Sequence, residues 1–213
     1  MTPLLALALV ASQNSTPTSK PFEASPYVYK FKLGYKSTYA VKFAGRMGSQ
    51  SAQIAETLTV EVLSVDADGS ADLRFSATDV KKSGLAKDQP QGESVTTARA
   101  TPYGTLSGVD ANDPLTSVLS FMFSLPNAAL AERTWTEYAD PMAVIANGAP
   151  TEGTIRSRRG DQILFTVRTK ATEGPNGTRE MTFDAAAGRL ISSKFRGGDG
   201  KTVPQIEVSV VRK

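Results

Sequence analysis

VDADGSADL, residues 65–73, sets Asp66, Asp68 and Asp72 around a single glycine, and how those carboxylates are read decides the fold. A calcium loop of the EF-hand type needs oxygen ligands at positions 1, 3, 5, 7, 9 and 12, the last a bidentate Glu, between two helices. Counted from Asp66, Asp68 and Ser70 fill positions 3 and 5, but position 12 is Ala77. The flanks are not helical either. Upstream, Leu58, Val60 and Val62 share one face of TLTVEV, and downstream Leu73, Phe75 and Ala77 alternate with Arg74, Ser76 and Thr78. A period of two on both sides of Asp68-Gly69 describes a β-hairpin with its corner at that dipeptide. The aspartates are expected to be turn chemistry and not catalytic groups, since they lie at an exposed tip where nothing would perturb their pKa values.

The same device recurs outward. In YVYKFKL, residues 27–33, Tyr27, Tyr29, Phe31 and Leu33 face one way and Val28, Lys30 and Lys32 the other; in YKSTYAVKF, Tyr35, Tyr39, Val41 and Phe43 oppose Lys36, Thr38 and Lys42. Both are expected to be half-buried strands. A loop is expected around MGSQSAQ, residues 47–53, and a bulge or corner where the apolar phase shifts at Leu63 and Val65. Towards the C-terminus, TIRSR, QILFTVRTK, REMTFD, RLISSKFR and PQIEVSVVRK are separated by RGD, TEGPNG, AAAG and GGDG, each a glycine-bearing turn. Strands that return through such short loops pair antiparallel with their neighbours. The expectation is a mainly β fold: a single curved antiparallel sheet, half-barrel or open barrel, of about 8–11 strands.

One short helix is expected near 113–124. In NDPLTSVLSFMFSLP, Asp113 suits the N-cap, Pro114 the first turn, and Leu125-Pro126 the end. Leu115, Val118, Leu119, Met122 and Phe123 fall at helical spacings, and Phe121 makes the opposite face apolar as well. A helix of this kind plugs a concave sheet and is far too short to cross a bilayer, which takes about 20 residues.

The 213 residues suffice for one domain. Residues 1–12 resemble a secretory signal peptide, with an apolar run from Pro3 to Ala11 and small residues at Val10-Ala11-Ser12, so the protein is expected to be exported, periplasmic or extracellular, with no transmembrane segment. Residues 13–26 are expected to be a flexible Ser/Thr/Pro leader, and 27–213 a single β domain.

The composition excludes much chemistry. With neither Cys nor His there are no disulfides, thiolate nucleophiles, Ser-His-Asp triads or imidazole-ligated metals. No SxxK, GxSxG, GxGxxG or GxxxxGK occurs. The expectation is no cofactor, no metal and no enzyme. Glu132 and Glu137 around Trp135 are the best pair for a carboxylate-only hydrolase, although a lone Trp more simply closes a core. Arg159-Gly160-Asp161 is a hairpin turn before it is an adhesion motif, and the sequons at Asn14 and Asn176 matter only in a glycosylating host. Residues 151–213 hold 12 Lys and Arg against 7 Asp and Glu, within a net charge of +3, so the C-terminal meander is basic. Nucleic acid is not an expected partner, because Tyr29, Phe31, Tyr39 and Phe43 share the apolar face, away from the lysines.

Laid out in this way, YVYKFKLGYKSTYAVKF, TLTVEVLSVDADGSADLRF, LPNAALAERTWTEY and GTREMTFDAAAGRLISSKF resemble an exported bacterial all-β family of unknown function. The shape is similar to the half-barrel of periplasmic lipoprotein carriers and mycobacterial lipid-binding lipoproteins, and that resemblance implies an apolar cavity on the concave side. The leading functional expectation is a binding protein that holds a hydrophobic ligand or lipidated partner against Tyr29, Phe31, Tyr39, Phe43, Phe75 and Phe121. The alternatives are an interaction protein of the cell envelope whose basic face meets an anionic component, and the carboxylate hydrolase.

Overall fold

A computed structural model of the chain describes residues 27–88, 92–108, 119, 122–125, 134–137, 151–169, 177–202 and 205–213. The expected signal peptide and leader, Asn14 and Asn176 of the sequons, Phe121, Glu132 and most of 113–124 lie outside the described residues. Among the described residues eleven strands follow in order: β1 Lys36–Met47, β2 Gln50–Val65, β3 Ala71–Gly84, β4 Ser94–Ala100, β5 Leu106–Ser107, β6 Thr134–Glu137, β7 Thr151–Arg159, β8 Gln162–Thr169, β9 Gly177–Asp184, β10 Arg189–Gly197 and β11 Gln205–Arg212.

They form one sheet in the order β5-β4-β3-β2-β1-β11-β10-β9-β8-β7-β6, with β5 and β6 as its edges. The ladders are antiparallel throughout. The expected mainly β fold, a single curved antiparallel sheet, is therefore what the chain forms, with a strand count at the top of the expected range. Two meanders run outward from the centre, and the first and last strands close it by pairing with one another, Tyr39 opposite Arg212 through Arg46 opposite Gln205.

The hairpin of residues 65–73 is built as its sequence dictates. Val65 pairs with Ala71, Gly69 turns at φ +83°, and the Gly69 and Asp66 amides donate to the Asp66 and Ser70 carbonyls at 3.0 and 2.8 Å. The Ser70 amide and hydroxyl donate to the Asp68 carboxylate at 2.9 and 3.1 Å. That amide bond above all holds the Asp68 carboxyl below its ordinary value, so the tip is not electrostatically neutral ground as the sequence implied. Arg99 on β4 pairs with Asp66, and at 3.5 Å with Asp72. The register slips between Val62 and Ser64, where the phase of apolar residues shifts.

Two expectations change. MGSQSAQ is not a loop: Gly48 and Ser49 make a two-residue turn, and Met47 already pairs with Gln50. The sixteen residues of β2 span about 50 Å, and the first four, Gln50–Gln53, are exposed or half-buried while the buried positions begin at Leu58. Tyr27–Lys32 belongs to no ladder, and Leu33, 73% exposed, begins a turn in which the Tyr35 amide donates to the Lys32 carbonyl at 3.0 Å. The amides of Tyr29 and Lys30 bond to turns instead, as described below.

A single sheet buries a face only against itself or against segments lying on it. Here both occur. Val41, Leu58, Phe75 and Ala98 from one meander share a core cluster with Phe165, Met181, Phe183 and Val210 from the other, so the sheet curves round to enclose them. Leu119, Met122 and Phe123, the described helical residues of the expected plug, lie in the same cluster. In the sequence they fall between β5, at one edge of the sheet, and β6, at the other.

Candidate functional site

Residues 27–33 form a strap across one end of the half-barrel. The Tyr29 amide donates to the Pro102 carbonyl at 2.7 Å, in the turn after β4, and the Lys30 amide to the Gly188 carbonyl at 2.9 Å, in the turn between β9 and β10. Successive amides of an extended chain point in opposite directions, so two adjacent residues reach two arms that are far apart in the strand order. The alternation expected from the sequence holds only from Tyr29 to Lys32: Tyr29 is buried, Phe31 half-buried, and Lys30 and Lys32 exposed, whereas Val28 is half-buried like Tyr27 and Leu33 is exposed.

Aromatic packing fixes the strap. Tyr27 meets Phe165 edge-on at 5.5 Å, Tyr29 meets Phe183 edge-on at 5.3 Å and lies parallel to Phe31 at 5.4 Å. The Tyr29 hydroxyl donates to the Phe123 carbonyl at 2.8 Å, and the Phe123 ring stands edge-on to Tyr39 at 5.3 Å and to Phe75 at 6.1 Å. Burial, with Tyr39 beside it, pushes the Tyr29 phenol well above its ordinary value, although Arg179 pulls the other way. The phenol is a neutral hydrogen-bond donor here.

Between the strap, β1, β2, β3 and the β9–β10 turn there remains a half-open cavity of about 190 Å³. Its wall is mainly apolar, with Tyr29, Phe31, Tyr39, Val60, Leu73 and Phe123 among the lining residues. Lys30, Lys32 and Arg189 also line it. At the same end the Tyr35 hydroxyl accepts from Arg212 at 2.6 Å and from Arg189 at 3.3 Å. Slight burial raises that phenol, but the hydrogen bonds and charges of Arg189 and Arg212 outweigh it and leave the group below its ordinary value.

Of the six aromatic residues expected at a site, Tyr29, Phe31 and Tyr39 line this cavity. Phe75 is fully buried and packs on Phe123 in the core. Phe43 lies at the opposite end of β1, in a wider groove with Ile54, Phe195 and Val208. The stripe thus divides among a cavity, a core and a groove. Val60, Leu73, Ala100 and Arg189 were not among the expected site residues, and the strand alternation that marks Val60 and Leu73 as inward residues says nothing about which inward residues leave a space. Trp135 and Glu137 sit in β6, opposite Gly153 and Thr151. Among the described residues no group of three acidic side chains is placed to hold a metal ion, and no helix is long and apolar enough to cross a membrane.

The chain matches no family model and no curated protein. Its fold is similar to part of lipovitellin, in a solved structure concerned with that protein's lipid–protein interactions. The TM-score is 0.55 at 9% identity, covering 86% of this chain and 25% of the lipovitellin chain, so this chain spans about a quarter of its neighbour's length. The likeness is one of fold.

Proposed function

We propose that this chain is an exported, non-enzymatic binding protein that holds the hydrophobic part of a small ligand or lipidated partner between the strap and the sheet. The observation that carries this reading is the unfilled apolar cavity of about 190 Å³ bounded by Tyr29, Tyr39, Val60, Leu73 and Phe123. Protein interiors are packed to crystal-like density and leave few voids larger than a water molecule. A space of this size, with most of its wall apolar, offers water few partners and suits a hydrophobic group better. Its volume sets the scale of the ligand. It is close to the roughly 150 Å³ of an engineered cavity that binds benzene, and below the roughly 300–1,000 Å³ of pockets for drug-sized molecules. One ring or one stretch of alkyl chain fits, with the rest of the molecule outside. The fold likeness to lipovitellin, a protein studied for its lipid contacts, supports the same reading.

The test is extraction of the protein, purified from its native compartment, into organic solvent followed by mass spectrometry, together with titration by the neutral fluorophore N-phenyl-1-naphthylamine. Near-stoichiometric hydrophobic material, and a saturable fluorophore site, are expected. A protein that yields no such material and does not bind the fluorophore is not a hydrophobic-ligand carrier.

A further inference from the structure

Resting on that reading, we infer that the cavity takes a single-chain amphiphile with an anionic head group, carboxylate or phosphate, seated against Lys30, Lys32 and Arg189 while the alkyl chain enters between Tyr29 and Tyr39.

The first ground is the sign of the charge. The chain as a whole is nearly balanced, with 24 basic and 21 acidic residues, yet the residues lining the cavity include Lys30, Lys32 and Arg189 and no Asp or Glu. Asp184, half-buried just outside the lining, stands 3.5 Å from the Arg189 Nε and offsets one of these charges. Arg212, which donates to Tyr35, adds another cation beside Arg189. Tyr35 brings the two guanidiniums to one oxygen without neutralising either, because a phenol accepts hydrogen bonds while uncharged. That its proton is held less tightly than usual, with burial acting the other way, agrees with a positive potential at the mouth.

The second ground is preorganisation. The Lys30 backbone is tied to Gly188, and its Nζ donates to the Ala186 carbonyl at 3.1 Å. An ammonium has three donors, so one bond to a carbonyl leaves two for an anion. Lys32, two residues on and on the same side of the strap, is exposed and forms no ion pair with a described residue. Together they stand above an apolar opening, the arrangement in which a charged head stays in water while its chain is buried.

The third ground is volume. At about 190 Å³ the cavity accommodates one alkyl chain segment, which excludes the paired chains of a diacyl lipid from lying wholly inside.

The experiment is competition against bound N-phenyl-1-naphthylamine, at submicellar concentrations, by dodecanoate, dodecyl phosphate, dodecanol and dodecyltrimethylammonium. Each exposed ion pair contributes up to a few-fold in affinity, so the two anions should displace the probe about tenfold more effectively than the alcohol. The cation should be weakest, and the anion advantage should shrink as salt rises from about 0.05 to 0.5 M. The difference between the anions reports which head group is preferred. Lys32→Gln and Arg189→Gln should each reduce the advantage of the anions over dodecanol several-fold, and Lys194→Gln, in the groove at the opposite end, should leave that advantage as it is. Should Arg189→Gln prevent folding, Lys32→Gln, at an exposed side chain, retains the test. Equal displacement by anion and alcohol overturns this inference and leaves the binding function standing, whereas failure of the wild-type protein to bind the neutral probe overturns the binding function itself.

Discussion

The hydroxyl of Tyr29 donates a buried 2.8 Å hydrogen bond to the carbonyl oxygen of Phe123, ninety-four positions further along the chain. Through it the strap is tied to Phe123, a member of the core cluster. In Tyr29→Phe the ring keeps its contacts with Phe31 and Phe183, but the buried carbonyl loses its donor. A loss of about 1–2 kcal/mol is expected, which lowers Tm by about 2–8 °C in a chain of this size. Thermal denaturation of the variant beside the parent measures it, and an unchanged Tm would show that the bond contributes nothing.

Alkaline pH should loosen the same region. Tyr29 and Tyr39 are both raised above the ordinary tyrosine value of 10.0, in each case by burial first. A group whose folded pKa is raised contributes stability that is complete below the unfolded value and is lost as pH climbs through the interval above it, because the unfolded chain releases its proton first. Stability should therefore hold to about pH 9.5 and then fall by up to about 1.4 kcal/mol per pH unit for each phenol. Urea unfolding between pH 8 and 11 tests this, and Tyr29→Phe should flatten the decline. Tyr35, exposed and shifted downward, acts weakly in the opposite sense.

Gly188 is the point at which the strap rests on the β9–β10 turn. It has φ +60°, and a Cβ there would lie 2.4–2.6 Å from Lys30 N, Cβ and Cγ. Main chain cannot yield as a flexible side chain does, so Gly188→Ala must displace Lys30 as well as strain its own backbone. Limited trypsin digestion should cut at Lys30 and Lys32 markedly faster than in the parent, with the sheet still resistant. Cleavage at the parental rate would mean that the strap is not held there.

Ala100 is fully buried and lines the cavity. In Ala100→Leu the added carbons enter existing space, so the overpacking cost should stay within or below the usual range of about 1–3 kcal/mol, while affinity for N-phenyl-1-naphthylamine falls at least tenfold. Undiminished binding would place the hydrophobic site elsewhere, with the groove at Phe43 the next place to test.

Phe75 gives the contrast. It is 1% exposed, touches Phe123 and stands apart from the cavity, so Phe75→Ala should cost about 3–5 kcal/mol as an ordinary core truncation. Chemical denaturation measures that loss, and a cost below about 1 kcal/mol would contradict the core placement.

How much of this was legible in the sequence follows from what alternation reports. It states which side chains face the core, and it did so correctly for Leu73, Phe75 and Ala77 in β3, where Asp68-Gly69 also marked the corner. It does not state what the backbone pairs with. Tyr27–Leu33 alternates like a strand because Tyr29 and Phe31 point inward, yet its amides bond to Pro102 and Gly188. Strand β4 escaped notice for the complementary reason: its fully buried residues are Ala98 and Ala100, while Val95 is 68% exposed, so its hydrophobic signal lies on the wrong face. The charged mouth was invisible because Lys30 and Lys32 looked like the wet face of a strand and Arg189 lies far away in the chain. Only the fold places them around one opening.

The pairing of β1 with β11 at the centre of the sheet also sets a schedule. Residues Lys36–Ser107 can assemble their own meander as they leave the ribosome, but β1 must wait with one side of its ladder unmet until Gln205–Arg212 has been made. During synthesis the nascent chain thus carries an unsatisfied strand edge, the kind of surface on which neighbouring chains join and precipitate. Because the final contact is also among the most distant in the sequence, closing it is slow. A chain built in this way benefits from a holding chaperone until its last strand is in place.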